Sequence, residues 1–424
     1  MIFVEINKLR EPKNCSCGRT HRCDIKYIYI EKDAITHLSE MCDGYRNILI
    51  IADENTFAAA GEKCEAALSG KNLKKQIFSG KTLLIPDEEA VAAIEKKLCG
   101  VELIIGIGSG VIQDLSKYIS FNHSIPYYIV ATAPSMDGYA SSGAALISGG
   151  MKVTYSTKVP DGFIGDTDIL KNAPLEMIKS GYGDIVGKYS ALNDWKLAHA
   201  LHGEYFCDYV YDLVHKMLLA VLPLAKRLTA RDEEAIKTLT EALIGVGIAM
   251  AYAESSRPAS GSEHHLSHFF EITGILNGEE YFPHGTDVFY STYITALLRE
   301  RLKALKSPKK MPQQEFSYRD EISRVYTRIA DSCIKLHEKT GWHTDDRFPL
   351  YEEKWETIIS ILSEMPKSDE ILKLLTEAQF DIKDFYSLYG KDKVRDAVTF
   401  AKDLKDRFTV LWLYYDIFGK EVNL

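Results

Sequence analysis

The sequence has little of several features that mark specialised classes of protein. Eight cysteines among 424 residues are too few for a secreted domain built on disulfides. Basic residues are outnumbered, 51 to 60, so the net charge is −9 and no nucleic-acid partner is expected. No apolar run approaches the roughly 18 residues that a membrane-spanning helix needs, so no membrane insertion is expected. The first residues, MIFVEINKLREPKN, lack the layout of a signal peptide, which predicts a cytoplasmic protein.

Cysteine is concentrated in one short segment. Cys15, Cys17, His21 and Cys23 are close enough in the chain to surround one zinc ion. The spacing C-x-C followed by H-x-C is unusual for a zinc finger, and an irregular surface segment is the alternative. The remaining cysteines are scattered among apolar or helical stretches, where buried thiols are expected: Cys42, Cys64, Cys99, Cys207 and Cys333.

The order of apolar runs predicts two domains of different class. Before residue 170, short apolar runs alternate with helical stretches, as in a parallel sheet with crossover helices. The predicted strands are Asn47–Asp53, Gln76–Ile85, Glu102–Ile107 and Pro126–Ala131, with a hairpin and an edge strand between Ala144 and Gly165. We therefore predict an α/β domain over 1–170, including a Cys-rich segment over 1–25, and an all-α domain over 171–424.

The second domain is predicted to be helical because its apolar residues recur at three and four positions. The clearest such segments are 231–256, 285–306, 314–340, 352–380 and 391–418. No internal repeat and no flexible linker separates the two halves, so the domains are expected to share an interface.

Glycines follow the third predicted strand and open a helix, in Gly106-Ile107-Gly108-Ser109-Gly110. Such glycines let backbone amides approach a diphosphate at a helix N-terminus. A tight strand–helix turn uses the same residues, and the third glycine of the dinucleotide fingerprint is missing. Asp53 could bind a ribose or cap the next helix. The segment from Ala131 to Ser141, ATAPSMDGYAS, forms the second half of this pocket or a plain loop.

Four of the 12 histidines lie between positions 264 and 284. His264 and His268 are four residues apart and so share one helical face, and His284 begins a later helix. Asp184 is expected in the first turn of an earlier helix. Two imidazoles and one carboxylate leave a divalent ion open positions for substrate oxygens, which is the catalytic arrangement. An ordinary pair of surface or core histidines is the alternative.

Five motifs occur in an order typical of one superfamily: GSGVIQDLSKY, APSMDGYASSGAAL, GYGDIVGKYSALNDW, RPASGSEHHLSHFFE and PHG. They resemble the glycerol dehydrogenase, dehydroquinate synthase and iron-type alcohol dehydrogenase superfamily. The residues of these motifs are most similar to those of the sn-glycerol-1-phosphate dehydrogenases of the bacterial (AraM) type. The resemblance covers about Asn47 to Gly285, and the C-terminal helices match in character only. It implies a Rossmann-like α/β domain and a helical domain with the active site between them, as in dehydroquinate synthase.

The resemblance also implies a reaction. That reaction is the reversible reduction of dihydroxyacetone phosphate, a small phosphorylated triose, to sn-glycerol 1-phosphate with NADH or NADPH. It would be carried out by a homodimer that serves phospholipid biosynthesis.

The same resemblance assigns roles to residues. The positions matching metal ligands, for zinc or nickel, are Asp184, His264 and His284. Asp137 and His268 match catalytic and substrate-binding positions, and Asp184 also touches substrate. The positions matching NAD contacts are Asp53, Gly108, Gly110, Val111, Ile112, Gln113, Asp114, Thr132, Ala133, Pro134, Ser135 and Ser141.

Three other functions stay open on the sequence. A glycerol dehydrogenase is the first, and it differs in needing no pocket for a substrate phosphate. The candidate residues for such a pocket here are Lys158, Lys188 and Arg257. A lyase or cyclase of the dehydroquinate synthase type needs several Lys and Arg around a polyhydroxy carboxylate, and the segment before the histidine pair offers Arg257 alone. A non-catalytic nucleotide- or metal-binding regulator is the third.

Overall fold

The computed structural model describes residues 5–82, 84–149, 151–310 and 317–422. The chain divides into two compact units. The first unit is Met1–Ile185 with Lys216–Ser256, and the second unit is Val186–His215 with Arg257–Leu424. The sequence division into 1–170 and 171–424 is drawn where the alternation of strands and helices ends, and it stays a prediction.

The described residues of the first unit form ten strands, six of which make a parallel sheet. They are β1 (Lys13–Asn14), β2 (Thr20–His21), β3 (Tyr27–Glu31), β4 (Asn47–Asp53), β5 (Asn72–Phe78), β6 (Leu103–Gly108), β7 (Tyr127–Ala131), β8 (Gly143–Ser148), β9 (Met151–Ser156) and β10 (Gly162–Asp166). The sheet order is β3-β10-β7-β6-β4-β5, and every neighbouring pair is parallel. Strands β6, β7 and β10 are buried along their whole length, as expected where both faces of a parallel sheet are covered.

The predicted strands correspond to β4, β5, β6 and β7, and β4 has the predicted bounds. Strand β5 runs from Asn72 to Phe78 rather than from Gln76 to Ile85. It lies at the sheet edge, where the exposed Lys74 and Lys75 hide the apolar pattern. The predicted hairpin is β8 and β9. The predicted edge strand is wrong, because β10 pairs on both sides, with β3 and β7.

The chain has helices between the strands of the first unit and throughout the second. They are α1 (Leu38–Met41), α2 (Glu54–Ala67), α3 (Glu88–Glu95), α4 (Gly110–His123), α5 (Thr167–Leu170), α6 (Leu175–Val186), α7 (Lys188–His202), α8 (Asp208–Val221), α9 (Ala225–Thr229), α10 (Glu233–Ala253), α11 (Ser262–Asn277), α12 (His284–Lys303), α13 (Tyr318–Tyr326), α14 (Ala330–Thr340), α15 (Phe348–Leu362), α16 (Ser368–Glu377), α17 (Ile382–Phe400) and α18 (Val410–Phe418). Each of the last three predicted segments contains two helices; one break is at Thr327, with φ 43°, and another at Pro366. The α/β and helical classes are those predicted.

Helix α10 is long and apolar enough, by length and composition alone, to cross a membrane. However, 78% of its apolar 18-residue stretch is buried inside the protein. It packs against α5, α9, β3 and residues 137–140 of the first unit, so we interpret it as a core helix.

The second unit contains a buried network of charged groups around Asp403. This carboxylate accepts hydrogen bonds from Lys402 Nζ at 2.8 Å and from His343 Nε2 at 2.9 Å, and His337 Nε2 lies 3.1 Å from it. The two histidines and the aspartate are close enough together to ligate a metal. Lys402 already neutralises the carboxylate, however, and its ammonium would repel a divalent cation. We therefore interpret the cluster as a hydrogen-bond network that joins α14 to residues 401–404.

Acidification below about pH 6.5 is expected to destabilise the protein through His337. Burial lowers the pKa of His337 to about 4, whereas an unfolded chain has a value of about 6.5. The unfolded chain therefore binds a proton that the folded chain does not, and the free energy of unfolding falls between these two pH values, by up to about 3 kcal/mol. Denaturant unfolding of the variant His337→Gln should show a flatter pH dependence in this range. A slope equal to that of the wild type would contradict this explanation.

Candidate functional site

The carboxyl ends of β4, β6 and β7 are neighbours in the sheet and carry predicted cofactor residues. Gly108 at the end of β6 pairs with Ala131 at the end of β7, and Thr132 N–H donates to the Gly108 carbonyl at 3.1 Å. Strand β4 pairs with β6 on the other side and ends at Asp53. Because these strands are parallel, Asp53, Gly108 and Thr132 lie at the same sheet edge, which is where ligands of open α/β sheets bind.

The N-terminus of α4 begins directly after this edge. The predicted cofactor residues Gly110, Val111, Ile112, Gln113 and Asp114 form its first turns, and Thr132, Ala133, Pro134 and Ser135 form the loop after β7. A Cβ at Gly108 would lie 2.6 Å from Ile112, so that glycine is needed for the strand–helix turn itself. At Gly110 the nearest atom would be 3.8 Å away, and Ser109 makes no side-chain cap. The first amides of α4 therefore suit an anionic group.

Three predicted cofactor residues also stabilise the fold. Asp53 Oδ1 accepts a hydrogen bond from Thr56 N–H at 2.9 Å and so caps α2, the role that the sequence left as the alternative. Gln113 Nε2 donates to the Tyr139 carbonyl at 2.9 Å. Ser141 Oγ donates at 2.9 Å to the carbonyl three residues before it. The contacts of Gln113 and Ser141 fix the shape of the loop over residues 137–143.

Lys117, for which no role was predicted, holds the same loop. Its Nζ donates to the carbonyls of Gly138 at 3.0 Å and Gly143 at 2.7 Å. Burial lowers the pKa of this amine to about 8. The role of Lys117 could have been inferred from its position on the apolar face of a predicted helix. A charged group buried there needs hydrogen-bond partners.

Helix α6 is packed directly against the loop after β7. A Cβ at Gly181 would lie only 1.8 Å from the Pro134 carbonyl oxygen, and Asp137 N–H donates to Asp184 Oδ2 at 2.9 Å. The structure thus brings two predicted substrate-binding residues together, and both are buried. Asp184 lies in the last turn of α6, not in the first turn as predicted, because the helix already begins after Pro174.

In the second unit, three predicted histidines lie close together. His264 and His268 occupy the first two turns of α11, and His284 is the first residue of α12. The ring centroid of His284 lies 5.0 Å from that of His264 and 5.5 Å from that of His268. His264 is buried, while the other two are partly exposed. Such a cluster of imidazoles at two helix starts suits a divalent cation.

Glu263 orients His264 and was missed by the sequence analysis. Its Oε1 accepts hydrogen bonds from His264 Nδ1 at 2.6 Å and from Gly261 N–H at 2.8 Å. Burial acts to raise the pKa of Glu263, but the contacts with His264, Gly261 and Ser190 together outweigh it and the pKa is lowered. A carboxylate can only accept, so Nδ1 carries the proton and Nε2 is the nitrogen that can ligate a metal. The feature of the sequence that could have indicated this role is an acidic residue directly before the histidine pair.

Asp194 supports the start of α11 from α7. Its Oδ2 accepts from Ser262 N–H at 2.6 Å, and its Oδ1 accepts from Arg299 Nη2 at 2.8 Å and Val410 N–H at 2.9 Å. Since all these groups are buried, the pair of charges joins α7, α11, α12 and α18. The histidine cluster is thereby built on rigid elements.

Solved structures define the class of fold. A probable glycerol dehydrogenase from Sinorhizobium meliloti superposes with a TM-score of 0.61 at 13% identity, covering 94% of this chain and 96% of that one. An iron-containing alcohol dehydrogenase from Thermococcus thioreducens superposes with a TM-score of 0.58 at 16% identity, and the match covers 94% of this chain and 99% of that one. Identity this low shows the fold alone, which is that of the iron-containing alcohol dehydrogenases. The family model "Iron-containing alcohol dehydrogenase" also matches residues 29–174.

Sequence relatives define the family more narrowly. A glycerol-1-phosphate dehydrogenase (NAD(P)+) of Halalkalibacterium halodurans is 29% identical over 95% of this chain and 96% of its own length. One from Geobacillus thermodenitrificans is 32% identical over 77% of this chain and 82% of its own length. The chain belongs to the glycerol-1-phosphate dehydrogenase family, which confirms the resemblance drawn from the five motifs.

Proposed function

We propose that this protein catalyses the reversible reduction of dihydroxyacetone phosphate to sn-glycerol 1-phosphate, with NADH or NADPH as the hydride donor. The observation that carries the proposal is the cluster of His264, His268 and His284 in a chain whose relatives are named glycerol-1-phosphate dehydrogenase (NAD(P)+). The names of these relatives favour an enzyme over the non-catalytic regulator that the sequence left as an alternative.

Asp184, His264 and His284 are the proposed ligands of one divalent cation. The donor set of one carboxylate and two imidazoles suits zinc or nickel. Glu263 supports the assignment because its hydrogen bond places the proton of His264 on Nδ1, so Nε2 is the nitrogen that can ligate a metal. Asp137 N–H holds the Asp184 carboxylate in a similar way. When bound, the cation would polarise the substrate carbonyl and stabilise the alkoxide that forms as hydride arrives.

The nicotinamide cofactor is proposed to bind along the carboxyl edge of β4, β6 and β7. Its diphosphate would accept hydrogen bonds from the first amides of α4, and the loop 132–135 and Ser141 would line the same pocket. Asp53 would bind the ribose hydroxyls and repel a 2′-phosphate, which favours NADH over NADPH. Its capping bond to Thr56 fixes the carboxylate in place at the sheet edge.

We propose that His268 and Asp137 bind the substrate and take part in proton transfer to it. His268 lies one turn after the ligand His264 on α11 and is partly exposed, so it can reach a bound ligand. An imidazole can donate a proton to the developing alkoxide near neutral pH. Asp137 has a buried carboxylate in the loop after β7, beside Asp184.

Replacing His268 by glutamine is expected to slow turnover while the metal stays bound. General acid–base catalysis contributes on the order of 100-fold or more, so kcat should fall by about that factor. Metal content by mass spectrometry and steady-state kinetics on the same preparation measure the two effects. Loss of metal in parallel with activity would make His268 a ligand and contradict the assigned role.

One assay tests the proposed function against its alternatives. NADH oxidation is followed with dihydroxyacetone phosphate, with dihydroxyacetone and with a heptulosonate phosphate, before and after chelation. We expect metal-dependent oxidation with dihydroxyacetone phosphate and sn-glycerol 1-phosphate as the product. A preference for dihydroxyacetone would indicate a glycerol dehydrogenase, and turnover of the heptulosonate without net NADH oxidation a lyase. The opposite product enantiomer, glycerol 3-phosphate, would also refute the proposal.

We propose, as the resemblance implies, that the protein acts as a cytoplasmic homodimer. Light scattering coupled to gel filtration measures the mass in solution, for which we expect twice the 47.8 kDa of the chain. A single-chain mass at micromolar concentration would contradict the dimer.

A further inference from the structure

Residues 13–21 form a short hairpin that gathers three metal-binding side chains. Strands β1 and β2 pair antiparallel over two residues each. Between them, Cys15 N–H donates to the Arg19 carbonyl at 3.0 Å and Gly18 N–H donates to the Cys15 carbonyl at 3.1 Å. Gly18 has φ +86°, a conformation that favours glycine. This turn brings the ligand atoms of Cys15, Cys17 and His21 within 4.8 Å of one another.

His21 is anchored so that one ring nitrogen faces the cysteines. Its Nδ1 lies 3.2 Å from the Tyr252 carbonyl oxygen, which can only accept, so Nδ1 carries the proton. The ring also stacks on the Tyr252 ring, with centroids 5.1 Å apart, and is 1% exposed. Nε2 therefore presents its lone pair, and Cys17 Sγ lies 3.5 Å from it. A histidine that donates to a backbone carbonyl through its other nitrogen is typical of metal sites.

The distance between Cys17 and His21 fits a shared zinc ion. Zinc binds sulfur at about 2.3 Å and imidazole nitrogen at about 2.05 Å, and a tetrahedral angle then places the two ligand atoms about 3.6 Å apart. The observed separation of 3.5 Å agrees with this value. A hairpin with two residues in each strand has little stability of its own. A bound metal ion would supply the missing stabilisation.

We propose that Cys15, Cys17 and His21 hold one structural zinc ion, with a fourth ligand from outside the hairpin. Structural zinc is four-coordinate and prefers thiolate and imidazole ligands. Arg19 Nη1 donates to the Ala253 carbonyl at 3.1 Å, and His21 contacts Tyr252, so the ion would fix the hairpin against the C-terminal end of α10. The site shares no residue with the proposed catalytic ligands and does not depend on the proposed reaction.

Cys23, which the sequence grouped with this set, is not part of the cluster. The residue is 5% exposed and lies among the buried side chains. Cys23 therefore serves as the matched control for Cys17.

Cobalt substitution tests the proposal on the full-length protein. When the protein is produced with cobalt in place of zinc, thiolate ligands give an intense sulfur-to-cobalt charge-transfer band. The proposed catalytic ligands contain no sulfur, so the band reports on the hairpin alone. We expect the band in the wild type and in Cys23→Ser, and its loss in Cys17→Ser with the loss of about one metal equivalent per chain. A wild type without the band, or a Cys17→Ser variant that keeps it, would overturn the proposal.

A second measurement needs no variant to fold. The zinc-loaded wild type is alkylated with and without a chelator, and the modified cysteines are located by peptide mass spectrometry. Cys15 and Cys17 should react only after chelation, and any other cysteine that behaves likewise is the fourth ligand. Equal reaction of both with and without the chelator would overturn the site. His264→Ala should keep the cobalt band, so a failure of the catalytic proposal is distinguishable from a failure of this one.

Discussion

His264→Ala should lose the catalytic metal and turnover together. The variant removes an imidazole whose orientation is set by the 2.6 Å hydrogen bond to Glu263, and two remaining ligands hold a divalent cation weakly. Without the cation the developing alkoxide loses an electrostatic stabilisation of several kcal/mol, so activity should fall by about 1,000-fold or more. Metal analysis and NADH oxidation with dihydroxyacetone phosphate measure both effects on one sample.

Glu263→Gln provides the graded control for this prediction. Glutamine keeps the shape of the side chain but removes the charge that holds the His264 ring. Loss of such a partner lowers metal affinity or activity by about 10- to 100-fold, and added metal should restore part of the activity. Full metal content and full activity in His264→Ala would show that the catalytic cation is held by other residues.

Gly181→Ala is expected to disrupt the packing of α6 against the loop after β7. The added Cβ would lie 1.8 Å from the Pro134 carbonyl oxygen, far inside contact distance, and that atom belongs to the backbone. Either α6 or the loop must move, although Asp137 in the loop bonds to Asp184 on α6. We expect a loss of about 3 kcal/mol or more in the free energy of unfolding, together with most of the activity. Denaturant unfolding and the same kinetic assay measure these effects.

Gly245→Ala is the matched control for Gly181→Ala. Gly245 also lies in a helix, and the nearest atom to its added Cβ would be the terminal methyl of Met217 at 2.3 Å. That methyl is the flexible end of a side chain and can rotate away. The control should therefore lose much less stability than Gly181→Ala. Equal losses in the two variants would show that any alanine in a buried helix is harmful, whatever it meets.

The fold class and most elements could be predicted from local pattern, whereas pairing over long distances could not. Strand β4 has the predicted bounds because a compact apolar run ends at a capping aspartate. Strand β3 was missed, and β10 was misplaced at the edge, because the pair they form joins residues that are far apart in the sequence. The grouping of residues 216–256 with the first unit is likewise a product of tertiary contacts.

For the candidate site, the residues proposed to bind the metal could be predicted from the sequence. The residues that orient them could not. His264 and His268 could be placed on one helix face from their spacing alone. The role of Glu263 depends on the rotation of the His264 ring, and the role of Lys117 on the path of the loop over 137–143. Neither role can be read from the spacing of residues along the sequence. The predicted position of Asp184 was wrong, because its helix runs from Leu175 to Val186 and the residue lies in the last turn rather than the first.

Anomalous diffraction from crystals of the metal-loaded protein tests whether Asp184, His264 and His284 hold the catalytic cation. Data collected at the absorption edge of the bound metal locate the ion without assumptions about its ligands. We expect a peak about 2.0–2.2 Å from His264 Nε2, from a ring nitrogen of His284 and from a carboxylate oxygen of Asp184. A fully loaded, active protein whose anomalous peaks all lie away from these three side chains would contradict the account.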